Sequence, residues 1–201
     1  MNQALGALVL AAGSSQRMGS RNKLTEEIDG QPLVARVVSA FEAAAVERIV
    51  VVTGYQATRI ETALASHRLR IVHNPSHAEG MGSSIARGIA ALGDCAAVFI
   101  GLGDLPRLEP ATISALRQSF TERDADASPD SIHIPTHDGQ RGHPVLFGAT
   151  HFAALAALKE DRGGRAIVEQ NAARVVEVQV ASDGILVDVD TPADLRSARN
   201  R

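Results

Sequence analysis

The sequence predicts one α/β domain in which helices flank a mostly parallel sheet. Short apolar runs, such as residues 48–53, alternate with helix-like segments along most of the 201 residues, and this alternation is typical of βα units. The length suits one sizeable domain, and no linker, repeat or low-complexity stretch divides it. Because 45% of the residues are hydrophobic and 3% are aromatic, we expect a core of Ala, Val, Leu and Ile.

The first part of the chain contains four predicted strands and their connecting helices. Each strand is a run of small or branched apolar residues bounded by Gly, Pro or polar residues; these runs are residues 4–9, 48–53, 69–73 and 96–101. Pro32 is suited to open the first helix, and the buried face of that helix would carry Val34, Val37, Val38, Phe41 and Ala45. Further helices are expected at residues 58–66, 83–92 and 110–120.

The second part is less regular and predicts a small β element. Residues 121–130 are charged and polar, which indicates an exposed connection. Short strands are expected at residues 132–135 and 144–147, around a turn at Asp138 and Gly139. The remaining predicted elements are helices at residues 150–159 and 164–171, strands at 174–180 and 185–189, and a last helix from Pro192.

Charge and composition exclude several classes of protein. The formal net charge is −3, whereas proteins that coat nucleic acid usually carry a clear basic excess. The single cysteine, Cys95, rules out an internal disulfide and a thiolate zinc cluster, and it fits a reducing compartment. The sequence shows no secretory signal pattern and no apolar run of membrane length. We therefore expect a cytoplasmic protein that binds neither nucleic acid nor membranes.

The segment after the first predicted strand, residues 10–19 (Leu-Ala-Ala-Gly-Ser-Ser-Gln-Arg-Met-Gly), predicts an anion-binding turn. Small residues expose successive backbone N–H groups, which form a concave surface for a polyanion. Arg17 and Lys23 add positive charge, so a triphosphate is the expected ligand. The alternative is an ordinary βα turn, since the segment has neither a Gly-Lys-Ser/Thr ending nor a Gly-x-Gly-x-x-Gly pattern.

Acidic residues at two predicted strand ends are candidate metal ligands. Asp104 follows strand 96–101, where open α/β sheets bind ligands, and its carboxylate could hold Mg²⁺ against substrate phosphates; capping of a helix or turn is the alternative. Asp188 and Asp190 alternate along a predicted strand, so only one of them should face the same metal. The other could cap the helix at Pro192, and Asp194 is expected to be a surface residue in its first turn.

Two further segments carry basic residues. In residues 141–144 (Arg-Gly-His-Pro), His143 precedes a proline, which favours an extended backbone at His143. Its imidazole would then project from a short strand at the edge of the fold. Residues 159–165 (Lys-Glu-Asp-Arg-Gly-Gly-Arg) form a charged loop before a predicted helix and could bind an anion. A turn with a hydrogen-bonded histidine and a solvated charge run are the ordinary interpretations of these segments.

Taken together, these motifs resemble those of the MobA-like nucleotidyltransferases, in the branch that acts on molybdopterin. The matching motifs occur in order over nearly the whole chain, at residues 10–19, 22–24, 80–84 (Gly-Met-Gly-Ser-Ser), 103–106 (Gly-Asp-Leu-Pro), 141–147, 161–165 and 188–195. The resemblance implies a Rossmann-like nucleotidyltransferase fold, with nucleotide binding at about residues 1–120 and acceptor binding at about 121–201. It also implies Mg²⁺-dependent transfer of a nucleoside monophosphate from a triphosphate to a phosphate acceptor, with release of pyrophosphate.

The same resemblance assigns roles to individual residues. The implied nucleotide-binding residues are Ala11, Ala12, Gly13, Ser14, Ser15, Arg17, Lys23, Thr53, Gly54, Gly80, Gly82 and Ser83. Catalysis is implied for Arg17, Lys23 and Asp104, and Mg²⁺ binding for Asp104 together with Asp188 or Asp190. The implied contacts with a pterin-bearing acceptor are Arg141, His143, Pro144, Asp161 and Arg165.

The choice of substrates also follows from the resemblance. In this family Leu-Ala-Ala-Gly is associated with CTP and Leu-Ala-Gly-Gly with GTP, so Ala12 implies CTP as the donor. The motifs at residues 141–147 and 161–165 imply molybdenum-bound molybdopterin as the acceptor of CMP, with a molybdoenzyme as a further partner that receives the product. Glu160 stands where relatives often carry Gly, which leaves the acceptor open. The alternatives are a related transferase that uses GTP or another phosphorylated acceptor, and a non-catalytic carrier or insertion chaperone for the molybdenum cofactor.

Overall fold

The computed structural model describes residues 4–19, 21–124, 129–159 and 163–199, and its centre is a twisted, mostly parallel sheet. The strands are β1 (Leu5–Ala11), β2 (Glu27–Ile28), β3 (Gln31–Pro32), β4 (Arg48–Thr53), β5 (Arg70–His73), β6 (Ala97–Leu102), β7 (Ile132–His137), β8 (Gln140–Arg141), β9 (Val145–Gly148) and β10 (Val175–Gln179). Strands β2 and β3 form a separate antiparallel hairpin, and the other eight belong to one sheet.

The strand order of the sheet is β10-β7-β9-β6-β1-β4-β5, with β8 paired to β7. The pairs among β6, β1, β4 and β5 are parallel, as is the pair of β7 with β10, whereas β9 runs antiparallel to both of its neighbours. From β1 the chain moves outward to β4 and β5, and it then returns to the other side of β1 at β6. This reversal opens a crevice beyond the carboxyl ends of β1 and β6, where open α/β sheets bind their ligands.

Helices cover both faces of the sheet. They are α1 (Leu33–Ala43), α2 (Ala57–Ala63), α3 (Met81–Leu92), α4 (Pro110–Asp124), α5 (Phe152–Ala156), α6 (Arg165–Gln170) and α7 (Pro192–Arg199). Buried side chains of α1, α2 and α4 pack with Ala7 and Val9 on one face of β1, while those of α3, α5 and α6 join the cluster around Leu8 on the other. This division follows from the alternation of side chains along a strand.

A small apolar cluster joins the beginning of the described chain to its end. Met18, Ile28, Leu33, Val189 and Leu195 pack together, and each is no more than 5% exposed. The cluster therefore connects the turn after β1 with the segment before α7. It fixes the relative positions of two motifs that are far apart in the sequence.

The predicted fold class is confirmed, and so are most of the predicted elements, including β4 with the same bounds. The strand predicted at residues 185–189 is wrong: Asp183–Ile185 forms a 3₁₀ turn, and residues 186–190 have no regular secondary structure. The predicted connection at 121–130 begins later, because α4 continues to Asp124. Ala45 lies beyond the end of α1, exposed and with φ 54°, so it is not part of the buried face. Within the described residues, no helix has the length and apolar character needed to cross a membrane.

Candidate active site

A cleft of about 740 Å³ lies beyond the carboxyl ends of β1 and β6. It is lined by Leu10, Ala12, Gly13, Ser14, Ser15, Arg17, Lys23, Leu24, His77, Ala78, Glu79, Gly80, Met81, Ser84, Leu102, Asp104, Asp188 and Asp190. The motifs at residues 10–19, 80–84, 103–106 and 188–195 all contribute to it. The fold therefore brings together four segments that span most of the sequence.

The turn after β1 is exposed to solvent on one side and fixed by hydrogen bonds on the other. Gly13 and Ser14 are exposed, and a Cβ added to Gly13 would meet no atom within 4 Å. Below the turn, the Ser15 hydroxyl accepts a hydrogen bond of 3.2 Å from the Lys23 backbone N–H. The buried side chain of Asn22 accepts from Leu24 N at 3.1 Å. The backbone of residues 13–15 is thus available to an anion on one side and fixed on the other.

The side chain of Lys23 lies between two carboxylates. Its Nζ is 2.6 Å from Asp104 Oδ2 and 2.6 Å from Asp190 Oδ1. The Lys23 and Asp104 side chains are 12% and 17% exposed, and that of Asp190 is 38% exposed. Burial acts to lower the pKa of Lys23, but the charges and hydrogen bonds of Asp104 and Asp190 outweigh it, so the pKa lies above its ordinary value. Lys23 therefore remains protonated at neutral pH.

Asp190 holds a second cation. Its Oδ2 lies 2.5 Å from Nη1 of Arg17, a side chain that is 71% exposed. The hydrogen bond from Lys23 holds the pKa of Asp190 below its ordinary value, and the charges of Lys23 and Arg17 add to the effect. Asp190 is therefore ionised and paired with both of the cations that the sequence assigned to the triphosphate.

The carboxylates fit a hard divalent cation. Asp104 Oδ1 is buried and has no hydrogen-bond partner in the described part of the chain, and a buried oxygen of this kind needs a donor or a cation. Carboxylate oxygens are the ligands that Mg²⁺ prefers. No group of three or more His, Cys, Asp or Glu side chains in the described ranges is arranged to hold a metal by itself. Asp104 and Asp190 would therefore hold the ion together with substrate phosphates.

Both Asp188 and Asp190 line the cleft, contrary to the expected alternation. The alternation rule requires a strand, and residues 186–190 do not form one. Neither residue caps α7. Asp194 Oδ2 accepts from Thr191 N at 2.8 Å, and Thr191 Oγ1 accepts from Asp194 N at 3.2 Å, so these two side chains form a capping box.

The opposite wall of the cleft is the start of α3. The buried Asn74 side chain donates from Nδ2 to the hydroxyls of Ser83, at 2.9 Å, and Ser84, at 3.0 Å. Gly80 and Ser84 line the cleft, and so do the residues immediately before them, His77, Ala78 and Glu79. None of these three residues is among the predicted site residues. They follow the strand predicted at residues 69–73, whose carboxyl end lies at the same edge of the sheet as Asp104. This position is the sequence signal that would have predicted them.

Five of the predicted nucleotide-binding residues do not line the cleft. They are Ala11, Thr53, Gly54, Gly82 and Ser83. Thr53 is fully buried, and Ser83 is engaged with Asn74. Gly54 serves a close approach, because an added Cβ would lie 2.5 Å from His77 Cβ and 2.8 Å from the Ala12 carbonyl oxygen. These residues support the walls of the cleft.

Among the predicted acceptor-binding residues, the four that the structure describes lie outside the cleft lining, and Asp161 falls outside the described residues. Arg141 pairs with Glu177 at 2.7 Å, and Arg165 pairs with Glu169 at 2.8 Å. Pro144 is buried. The described residues of the acceptor motifs are therefore not part of the cleft lining.

His143 is held close to the acidic side of the cleft. Its backbone N–H donates to Ile185 O at 3.1 Å, and its Nδ1 is buried without a partner in the described structure. Burial lowers the pKa of His143 below its ordinary value, although a backbone hydrogen bond at Ile100 and the charges of Asp104 and Asp188 act in the opposite direction. The imidazole is therefore neutral at neutral pH.

An open, mostly parallel sheet with a glycine-lined cleft at its strand reversal, in which cations and carboxylates meet, defines an α/β protein of the nucleotide-binding class. Residues 7–175 match the family model of the MobA-like NTP transferase domain. The chain belongs to this family of nucleotidyltransferases, as its motifs indicated.

Relatives and solved structures agree with this family. The chain is 28% identical over 199 residues to the molybdenum cofactor cytidylyltransferase of Escherichia coli K12, covering 98% of this chain and 97% of that protein. It is also 28% identical over 186 residues to nicotine blue oxidoreductase of Paenarthrobacter nicotinovorans, covering 92% and 91%.

Two solved structures share the fold. A nucleotidyl transferase from Methanothermobacter thermautotroptrophicus superposes with a TM-score of 0.83 at 23% identity, covering 98% of this chain and 96% of that chain. The Rv0371c protein of Mycobacterium tuberculosis H37Rv, solved as a complex with manganese, gives a TM-score of 0.76 at 23% identity, covering 98% and 99%.

Proposed function

We propose that the protein is a Mg²⁺-dependent cytidylyltransferase. It transfers CMP from CTP to the phosphate of molybdenum-bound molybdopterin, releases pyrophosphate and gives molybdopterin cytosine dinucleotide. The main support is the placement of Lys23 Nζ 2.6 Å from both Asp104 and Asp190 beside the open turn at residues 13–15. The cytidylyltransferase relative, which matches over nearly its full length, supports the substrates. The manganese complex of a protein with the same fold supports a divalent metal.

The chemistry requires alignment and neutralisation of charge. An oxygen of the acceptor phosphate attacks the α-phosphorus of CTP, a new P–O bond forms, and the bond to the bridging oxygen breaks as pyrophosphate leaves. The attacking oxygen is already anionic, so no general base is needed. Lys23, Arg17 and the N–H groups of residues 13–15 bind the triphosphate and stabilise the charge that develops on the leaving group.

The metal would be held by Asp104 and Asp190. When bound, Mg²⁺ neutralises phosphate charge and orients the triphosphate. Arg17, being exposed, exchanges its contact with Asp190 for phosphate oxygens. Before the substrates bind, Lys23 is charged, because Asp104 and Asp190 raise its pKa, and it lies within reach of both the carboxylates and the phosphates. The release of Asp190 from Arg17 is thus coupled to binding of the nucleotide and metal.

The acceptor would lie towards His143 and the exposed guanidinium groups. Among the described residues, the ion pairs of Arg141 and Arg165 are with surface glutamates, so both side chains can turn to an anionic acceptor at low cost. Ala12 lines the cleft. In the family, an alanine at this position is associated with CTP as the donor. A molybdoenzyme would receive the product.

A turnover assay tests this function. Pyrophosphate release is followed with purified molybdenum-loaded molybdopterin and, separately, CTP, GTP, ATP or UTP, in Mg²⁺, in Mn²⁺ and in EDTA. We expect release with CTP and Mg²⁺ and none in EDTA, with Asp104→Asn as the inactive control. Release with GTP, or only with another phosphorylated acceptor, would favour the related transferase instead.

Two rivals from other classes give different outcomes in the same assay. A cofactor carrier or insertion chaperone binds the pterin tightly but releases no pyrophosphate under any condition. An oxidoreductase, which the name of the Paenarthrobacter relative suggests, also releases no pyrophosphate, and a separate assay would recognise it by electron transfer to a dye. The carboxylate–lysine arrangement favours the transferase over the carrier, because a protein that only carries a cofactor has no use for a metal site.

A further inference from the structure

The acidic segment, residues 183–190, carries Asp188 and Asp190 but has little regular backbone structure of its own. Asp183–Ile185 forms a 3₁₀ turn, and residues 186–190 form neither a helix nor a strand. A segment of this kind keeps a defined position only where the rest of the protein holds it. The contacts around the acidic segment therefore determine how well Asp190 is placed relative to Asp104.

A single loop, residues 104–107, holds the acidic segment near both of its ends. At one end, Val189 N donates to Asp104 O at 3.1 Å. At the other end, Nη2 of Arg107 lies 2.6 Å from Oδ2 of Asp183, and the two side chains are 26% and 48% exposed. The loop that presents the Asp104 carboxylate is thus also the loop to which the acidic segment is tied.

The contact between Arg107 and the acidic segment also involves the backbone. A Cβ added to Gly184 would overlap the Arg107 carbonyl oxygen and would lie 2.7 Å from the carbonyl carbon. Glycine therefore allows the two chain segments to approach this closely. Ser182 Oγ accepts a hydrogen bond of 3.2 Å from Gly184 N, which orders the turn beside the ion pair of Arg107 and Asp183.

The loop at residues 104–107 is itself fixed to the body of the protein. Leu105 is 2% exposed and belongs to the main apolar cluster. The Pro106 carbonyl oxygen accepts a hydrogen bond of 3.2 Å from Nε of Arg36, a residue of α1. The loop is therefore a fixed reference, and a segment that pairs with Arg107 is placed relative to Asp104.

We propose that Arg107 is a positioning residue of the active site, which fixes Asp190 relative to Asp104 through its ion pair with Asp183. The inference rests on the proposed function, because it concerns the carboxylates that would hold the metal. Arg107 does not line the cleft, so it acts on the metal only through the acidic segment. Groups that orient metal ligands affect metal affinity without touching the metal.

Two substitutions of Arg107 and one matched control separate this role from a general effect on the fold. Arg107→Met removes the charge and keeps an unbranched side chain, whereas Arg107→Lys keeps the charge. The control is Arg117→Met, because Arg117 is also half-buried but donates to the Ala44 carbonyl oxygen, away from the acidic segment. Circular dichroism and thermal unfolding establish that each variant is folded.

Hydrogen exchange in the full chain, free of ligands, tests the positioning itself. Loss of the ion pair should open the acidic segment more often, since local opening is governed by the contacts that hold a segment. We expect peptides that cover residues 186–190 to exchange at least about threefold faster in Arg107→Met, and within about twofold of the unmodified protein in Arg107→Lys and Arg117→Met. Unchanged exchange in Arg107→Met would overturn the inference.

Metal binding without turnover tests the consequence for the site. The probe is Mn²⁺, titrated by electron paramagnetic resonance in the presence of a CTP analogue whose α- and β-phosphates are joined by a methylene group. We expect Arg107→Met to weaken Mn²⁺ binding about tenfold, and Arg107→Lys to restore most of the loss. Asp183→Asn should match Arg107→Met, and the double variant should be no weaker than either, because both remove the same ion pair.

The two measurements together distinguish failure of the inference from failure of the proposed function. Faster exchange with unchanged Mn²⁺ affinity in Arg107→Met would overturn the inference and leave the proposed function standing. Additive losses in Arg107→Met and Asp183→Asn, or an equal loss in Arg117→Met, would also overturn it. If the unmodified protein binds no Mn²⁺ with the CTP analogue, the proposed function is wrong, and the exchange result alone decides whether Arg107 holds the acidic segment.

Discussion

The phosphate end of the cleft and the proposed acceptor side hold their charges in different ways. Lys23 is 12% exposed and bonded to two carboxylates, whereas Arg141 and Arg165 are 51% and 84% exposed and each pairs with a nearby glutamate. Buried charge pairs are costly to break, and exposed pairs contribute about 0–1 kcal/mol. The phosphate end is therefore prearranged for one kind of chemistry, while the acceptor side can exchange partners readily.

The largest effect is expected at the phosphate end, from Asp104→Asn. This variant keeps the shape of the side chain but removes a charge that faces Lys23 and the metal. We expect pyrophosphate release to fall at least about 10²-fold, the loss typical of one preorganised electrostatic group, with the fold retained by circular dichroism. Turnover like that of the unmodified protein would contradict the proposed role of Asp104.

A pair of matched variants separates Asp190 from Asp188. Asp190→Asn removes the partner of both Arg17 and Lys23, whereas Asp188 is exposed. We expect Asp190→Asn to raise the Mg²⁺ concentration for half-maximal activity about tenfold or more, since metal ligands and their orientation determine affinity. Asp188→Asn should change it by less than about threefold, and the reverse order would assign the metal to Asp188.

On the acceptor side, Arg141→Ala and Arg165→Ala should affect binding without affecting stability. Each is expected to raise KM for the acceptor about threefold to tenfold, because a phosphate contact is lost, and to leave KM for CTP unchanged. Thermal unfolding should stay within about 0.5 kcal/mol of the unmodified protein, since these pairs are exposed. A large loss of stability in either variant would show that these exposed ion pairs matter to the fold, contrary to the contrast with the buried pairs of Lys23.

The smallest effect is expected for Asp194, whose contribution to stability should fall at low pH. Hydrogen bonds from Thr191 hold the pKa of Asp194 below its ordinary value of 3.8, so the capping box adds stability above that pH and loses it as the pH falls further. Asp194→Asn should cost about 1 kcal/mol at pH 7, and the difference from the unmodified protein should shrink below about pH 4. Urea denaturation at both pH values measures it, and a constant difference would exclude the ionised cap.

The sequence predicted the local parts of this site better than their assembly. The turn at residues 10–19 and the position of Asp104 after a strand follow from short motifs, because a strand end and its loop are consecutive in the chain. Lys23 lies between Asp104, which is 81 positions away in the sequence, and Asp190, which is 167 positions away. No local sequence pattern encodes contacts over such separations.

The error at residues 185–189 has a related cause. The apolar run there has the composition of a strand, yet Val189 is buried against Met18 and Leu195, and its N–H donates to Asp104 O at 3.1 Å. Burial in an irregular segment and burial in a strand leave the same signature in a sequence. The prediction that only one of Asp188 and Asp190 faces the site was wrong for that reason.

The small cluster of Met18, Val189 and Leu195 sets an order of events during protein synthesis. Arg17 and Asp190 are 173 positions apart, and a ribosome takes on the order of 10–30 s to translate such an interval. Throughout that time the nascent chain carries the proposed phosphate-binding turn without the carboxylate that pairs with Arg17. The proposed site is therefore complete only after the segment before α7 has emerged and docked.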